Sequence, residues 1–540
     1  MSQPYESVAQ PTAVPPPGCP AHAGGTGAEP LYTPEFFRDP YAVYKRLRET
    51  HGPLAPVELD PGVTAVLCVG YETALEIMRR PEMFSKDPRN WRAMNEGRVP
   101  EATHSAQLLR PRAQAGWVDG EAHRRLRSAI DDSMSRIDLG ALRGYVERIA
   151  DSLIDQFAVV GEADLIPEYC QLVTMLAVGE LFGCPKDIAD RLFAGMARLL
   201  DGRDPMAAAQ DIDATLKDLI ELKRGEPGPD VTSWLIAHPA RLDVEELVEQ
   251  LLLLMGMFVE PVASLVSNAL RVLLTDERFA GDLAGGGMLV EDALDEVLWT
   301  APPLANLAVH WPLRDVTISG TRLRAGEPVV ISFAGGNQDA LDSSQHKQGN
   351  RAHLAFSAGQ HTCSGRSQAR LVATAAIEKL LDRLPDIELA VAAEKLEWRP
   401  GLYQRGLTAL PVRFAPVGEP PKSEPAAPAQ QIPAAPRPRR HLFRRFRRTR
   451  RSRPPRRVCR PCRARRGLPR RSPVALRGTR KRRRPSPSPP AYWPSWPDGG
   501  APASDRRRLA SGRPVRRPFV GPVDVSSPPV PTGRGRRGLR

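Results

Sequence analysis

A discontinuity near residue 420 decides how much of this chain can fold. Beyond it, residues 421–540 carry 35 of the 76 Lys and Arg, 4 of the 62 Asp and Glu, and 24 of the 56 prolines. Arg runs punctuated by proline, with few branched apolar residues, cannot bury enough surface to offset chain entropy. The remainder is left with 41 basic and 58 acidic residues, so the overall charge of +14 describes neither part. That reversal of sign excludes reading the whole chain as a basic nucleic-acid binder. A length of 540 residues suggests three or four domains at roughly 150 residues each. The partition instead predicts one large domain over 31–416, after a loose Pro/Gly/Ala-rich lead-in over 1–30 and before an Arg/Pro-rich tail over 417–540.

Within the domain, helical spacing dominates from Glu72 to Leu274. Strand-like pieces flank the turn Asp60-Pro61-Gly62 and recur after Pro302-Pro303, as VTISG and PVVISF. A last helix is predicted from about Gly365 to Leu384. The fold class is therefore mainly α with small β-sheets, an α+β arrangement. The most apolar stretch, Leu247 to Leu274, contains Glu249, Glu260, Asn268 and Arg271, which suits a buried central helix better than a membrane span. No basic stretch followed by an apolar run opens the chain, so no signal peptide is expected. Seven scattered cysteines fit a reducing, cytoplasmic setting.

One of those cysteines stands out. In HLAFSAGQHTCSGRSQAR, residues 353–370, Cys363 sits in a glycine-punctuated loop just before an amphipathic helix. A helix N-terminus favours a thiolate through its dipole and free N–H groups. Gly359 and Gly365 allow close approach of the backbone to something flat, Phe356 can cover it, and His361 offers a polar contact at its edge. A buried structural cysteine in a turn is the bland alternative.

Phe356, Gly359, Cys363 and Gly365 resemble, in order and spacing, the haem-binding loop of the cytochrome P450 superfamily. The resemblance spans nearly all of 31–416, from DPYAVYKRLRETHGP to the closing RGLTALPVRF. It implies the family's fold, haem b, and Cys363 as the thiolate ligand of the haem iron. GEAHRRLRSAI resembles the helix whose His and Arg hold a propionate, which assigns His123 and Arg127. His310 stands where the family usually has a further propionate-binding Arg. The same resemblance implies a monooxygenase that receives electrons from NAD(P)H through ferredoxin and ferredoxin reductase. Arg124 and Arg125 would face an acidic ferredoxin. Rival readings are a haem-thiolate protein using peroxide or rearranging its substrate, and a haem-dependent binding or sensor protein.

Three departures mark this chain. Trp299 replaces the Arg of the family's Glu-x-x-Arg, in which it resembles an actinobacterial branch; a buried Glu296 would then need another cation, with Arg351 a candidate, and the simpler alternative is a partly solvated Glu296 with Trp299 as packing. The segment between Asn337 and His353 is shorter than the family's meander and lacks its Phe-Asp-x-x-Arg. In the helix resembling the oxygen-binding helix, Glu260 keeps the acid but Pro261 replaces the threonine. Proline removes one internal hydrogen bond and is expected to open the helix there. Proton delivery would fall to Glu260, to Ser264 one turn later, to water or to the substrate. In the tail, basic runs would bind phosphate backbones by charge alone. Cys459 and Cys462 form a lone pair without the partners of a zinc site. A basic appendage, a tether and translation of an unselected reading frame all remain open for it.

Overall fold

The structure is a computed structural model that describes residues 27–200, 204–276, 290–343 and 349–418. The tail from 419 onward, and most of the lead-in, lie outside the described residues. The lead-in ends earlier than expected, because β1 (Glu29–Pro30) forms the edge of the main sheet. Its neighbour is paired parallel at Val57 and Glu58, and that ladder gives residues without any periodicity a defined conformation.

Helix α1 (Pro40–His51) starts where proline and capping chemistry require. Asp39 accepts from the Ala42 N–H and Pro40 fills the first turn. It buries Val43, Tyr44 and Leu47. The turn Asp60-Pro61-Gly62 joins β2 (Leu54–Asp60) to β3 (Val63–Cys68), with Gly62 at φ +81. β4 (Phe84–Ser85), β5 (Asn306–Pro312) and β6 (Val329–Ser332) complete a sheet in the order β1-β2-β3-β6-β5-β4. Distant parts of the sequence thus share one sheet, with Phe84 opposite Pro312, and His310 opposite Val329.

The helical layer is built on α2 (Gly120–Ser135), α3 (Leu139–Phe157), α4 (Val244–Thr275), α5 (Val290–Thr300), α6 (Phe333–Asp342) and α7 (Arg366–Arg383). α7 packs on α3, α4 and α5. α4 is long and apolar enough to cross a membrane, but most of it is buried inside the protein as a core helix. Asp243 and Glu246 close a reciprocal capping box at its start. α4 runs as one helix through Pro261, with Phe258, Val259, Val262, Ala263 and Leu265 buried on either side of the ring. A lost internal hydrogen bond is a small term beside that burial.

On α5 the structure agrees with the solvated alternative: Glu296 is half-buried, and the buried acid is Asp295, one position earlier. Arg351 donates to Asp295 at 2.8 Å, so the expected Glu296–Arg351 pair is replaced by an Asp295–Arg351 pair. Arg370 of α7 forks onto both Asp295 and Glu291. Trp299 is buried and donates its indole N–H to the Asn350 carbonyl at 2.6 Å. Tyr71 stacks on it at 6.3 Å, and His353 meets its edge at 6.0 Å. Trp299 therefore supplies one directed hydrogen bond and packing, while Arg351 and Arg370 supply the charge. Trp299→Phe keeps most of the packing but removes the donor to the half-buried Asn350 carbonyl. A loss of about 1 kcal/mol in denaturant unfolding is expected; an unchanged midpoint would mean that the indole N–H contributes nothing.

Candidate active site

The cysteine loop is shaped by its own backbone and by three neighbours. Cys363 N–H donates to the Phe356 carbonyl at 2.9 Å, and Thr362 Oγ1 to the Gly359 carbonyl at 2.7 Å. Gly359 has φ +70, and a Cβ there would meet the Met78 carbonyl oxygen at 2.3 Å. Its glycine is thus required by the protein backbone, where the sequence suggested a flat ligand. Gly365 caps α7 with an ordinary φ, and a Cβ would only touch Met134 at 3.5 Å. Asn337 of α6 ties the loop down, accepting from Leu354 N–H at 2.8 Å and donating to the Leu298 carbonyl of α5 at 2.9 Å. Half-buried Phe356 lies 5.6 Å from His353.

From α2, Arg127 donates to the Thr362 and Gln360 carbonyls at 2.6 and 3.2 Å and pairs with Asp131. Ser364 donates to the same Asp131 at 2.6 Å. The expected propionate arginine is therefore also a clamp on the cysteine loop. Cys363 itself is exposed, whereas Cys68, Cys170 and Cys184 are buried. Solvent-sized space reaches its sulfur although protein crowds around it. That crowding raises its thiol pKa, against the Gly365 N–H, Arg127 and Arg366, which lower it. Helix-end stabilisation of the thiolate is present but outweighed by desolvation; coordination to a metal would remove the proton outright.

Beside the loop lies a gathering of nitrogen groups. The His123 and His361 rings are 4.2 Å apart. His123 is buried with neither ring nitrogen hydrogen-bonded among the described residues. His310 is buried, with Nδ1 against the Ala308 carbonyl at 2.9 Å. Desolvation holds all three imidazoles below the usual histidine range; Lys86 adds to this at His361 and His310, and Arg127 at His123. Lys86 joins this group, buried, with its ammonium 5.2 Å from the Trp117 ring. Nothing local in FSKDPRNW marks Lys86; only the pairing of β4 with β5 brings it here.

The loop Ala115–Trp117 also touches α4, since a Cβ on Gly116 would lie 3.9 Å from Leu253. At that point α4 presents an open face. Met257 is 42% exposed in an otherwise buried stretch, and a Cβ on Gly256 would meet nothing within 4 Å. One turn further, Glu260 is ion-paired with Arg399, and the same guanidinium lies 3.5 Å from Ser264 Oγ. Gly406 leaves room for this arrangement: a Cβ there would come within 2.6 Å of Ser264 Oγ and 2.8 Å of the Arg399 guanidinium. Arg399 was not legible in the sequence, as it lies 139 residues from its partner.

No family model matches the chain. Among curated proteins it is 30% identical over 394 residues to 2-hydroxy-5-methyl-1-naphthoate 7-hydroxylase of Streptomyces carzinostaticus, covering 70% of this chain and 95% of that one. It is likewise 30% identical to the cytochrome P450 monooxygenase PikC of Streptomyces venezuelae, over 70% of this chain and 92% of that one. The chain is a cytochrome P450. Its fold superposes on CYP154C4 from Streptomyces sp. W2061 with a TM-score of 0.66 and 26% identity, covering 73% of this chain and 99% of that one. As a P450 it is an oxygen-incorporating oxidoreductase with a haem-iron cofactor.

The residues present fit that cofactor on two observations. His123 offers buried nitrogens that no described residue satisfies, and Cys363 offers an accessible sulfur in the loop beside them. Residues that would hold haem are Cys363 at the iron, His123, Arg127, His310 and His361 at the carboxylate edge, and Phe356, Gly359 and Gly365 in the supporting loop. On the outer side of α2 Arg124 is exposed, whereas Arg125 is paired with Glu246 and donates to the Ala240 carbonyl at 3.1 Å. Of the two cations expected to face a ferredoxin, Arg124 is the one unengaged by a described acid.

Proposed function

We propose that this P450 inserts one atom of dioxygen into a small organic molecule, a secondary metabolite or lipid-like compound, in the cytoplasm. Electrons come from NAD(P)H through a separate ferredoxin and its reductase, docking over Arg124. The observation that supports this best is Cys363, exposed in the loop beside buried His123, neither of whose ring nitrogens is hydrogen-bonded among the described residues. Haem ligated by a cysteine thiolate supplies oxygen activation through electron donation from sulfur. The protein's own part is to hold the cofactor by Cys363 and the His/Arg cluster, and to place substrate against the apolar face of α4. Relatives named for hydroxylating a naphthoate and vitamin D(3) support a carbon-rich guest.

Proton handling is where this chain departs from its family. Glu260, engaged by Arg399, is held as a salt-bridge partner, and Pro261 carries no donor. Ser264, buried beside that pair, is the remaining side-chain hydroxyl within one turn of Glu260. Our reading assigns proton relay to Ser264, to water, or to a hydroxyl of the substrate itself. The test supplies NADPH, ferredoxin and reductase with labelled dioxygen and follows label into product and peroxide per NADPH. Substrates with a hydroxyl near the reacting carbon should couple several-fold more tightly than matched deoxy analogues. Product formed without label from dioxygen would sink the monooxygenase reading. Equal, tight coupling with deoxy analogues would sink the substrate-hydroxyl part and leave Ser264 or water.

A further inference from the structure

We propose that Lys86 binds a haem propionate and supplies the positive charge that His310 does not. His310 is a neutral, buried imidazole whose Nδ1 already faces a carbonyl. With its one N–H donated to that carbonyl, its Nε2 can only accept, so the neutral ring offers a carboxylate neither a donor nor a charge. Lys86 follows β4, and the pairing of Phe84–Ser85 with Pro312–Trp311 brings it beside the end of the same strand that carries His310. Its backbone N–H and the Ser85 hydroxyl both donate to Asp119, which fixes the local backbone. The lysine stem then runs inward, with the ammonium over Trp117 and, among the described residues, no hydrogen-bond acceptor.

The charged and titratable groups around it have been assigned. Asp119 is occupied by Ser85 and the Lys86 N–H, and Asp87 is turned onto Arg89. His310 and His361 face the ammonium electrostatically, with His123 and Arg127 beyond His361. Asp131, which acts electrostatically on His123, is held by Arg127 and Ser364. A buried group of cations and donors without a free carboxylate is unfavourable unless an anion completes it. Burial accordingly pushes the Lys86 ammonium down to about 7, only partly countered by Asp119. A carboxylate arriving between Lys86, His310 and His361 would restore the charge. The position is thus a relocated cation: the chain lacks an arginine at 310 and provides a lysine from the neighbouring strand.

This inference rests on the haem reading, and its test separates the two. Full-length wild type, Lys86→Met and Lys86→Arg are loaded with haem or with haem dimethyl ester, whose carboxylates are blocked. Transfer of haem to excess apomyoglobin is then timed by absorbance. With haem, Lys86→Met should release roughly 10- to 100-fold faster, the worth of one charge-assisted hydrogen bond, while Lys86→Arg stays near wild type. With the ester, wild type and Lys86→Met should release at the same rate. A wild-type rate in Lys86→Met with haem would overturn the proposal. So would an equal acceleration with haem and ester, because the lysine would then act by packing on Trp117. Lys86→Gln replaces the methionine variant in both arms if the latter does not fold. A wild-type chain that takes up no haem refutes the cofactor reading itself.

Discussion

Cys363→Ala should abolish the thiolate-type carbon monoxide difference spectrum completely while leaving the fold intact. The sulfur is exposed, makes no side-chain hydrogen bond that packing depends on, and sits in a loop held by Asn337, Arg127 and its own backbone. Its loss therefore removes the proposed iron ligand without removing a core contact. The other described cysteines cannot substitute. Cys68, Cys170 and Cys184 are buried, and desolvation pushes the thiols of Cys68 and Cys184 up to about 12. A thiolate-type spectrum surviving in Cys363→Ala would mean that the ligand lies elsewhere in the chain.

Asp295→Asn is expected to cost roughly 3 kcal/mol, the low end for breaking a buried ion pair, because Glu291 still answers Arg370. Asp295 is the point where α5, α7 and the segment leading into the cysteine loop are joined by charge. The variant should show both an earlier unfolding midpoint and lower haem content per chain, read by absorbance against protein concentration. If unfolding shifts without loss of haem, the pair stabilises the fold but does not hold the loop. If neither changes, Arg351 and Arg370 are adequately solvated without it.

What could be read beforehand divides by range. The ligand loop was legible because its chemistry lies within ten residues, Phe356 to Gly365. The hairpin at Gly62 and the starts of α1 and α7 were legible for the same reason: caps, turns and alternation are local. Asp295 was not singled out because adjacent positions on a helix point about 100° apart, and which one is buried depends on how α5 rotates against α7. Lys86 and Arg399 were invisible because strand pairing and loop return bring each to partners far along the chain. In both cases the sequence showed an unremarkable cation among many.

The open face of α4 has an evolutionary consequence. Gly256 has open space where a Cβ would stand and Met257 is exposed, while Met255, Phe258 and Val259 of the same helix are buried. A thioether bends to fit, and glycine leaves its share of space unclaimed. Changes at these two positions can therefore accumulate without disturbing the cysteine loop, the charge anchor on α5 or the Glu260–Arg399 pair. On the proposed reading of α4 as the substrate face, a lineage would exchange one guest for another by drift at 256 and 257 while the surroundings of Cys363 stay constant.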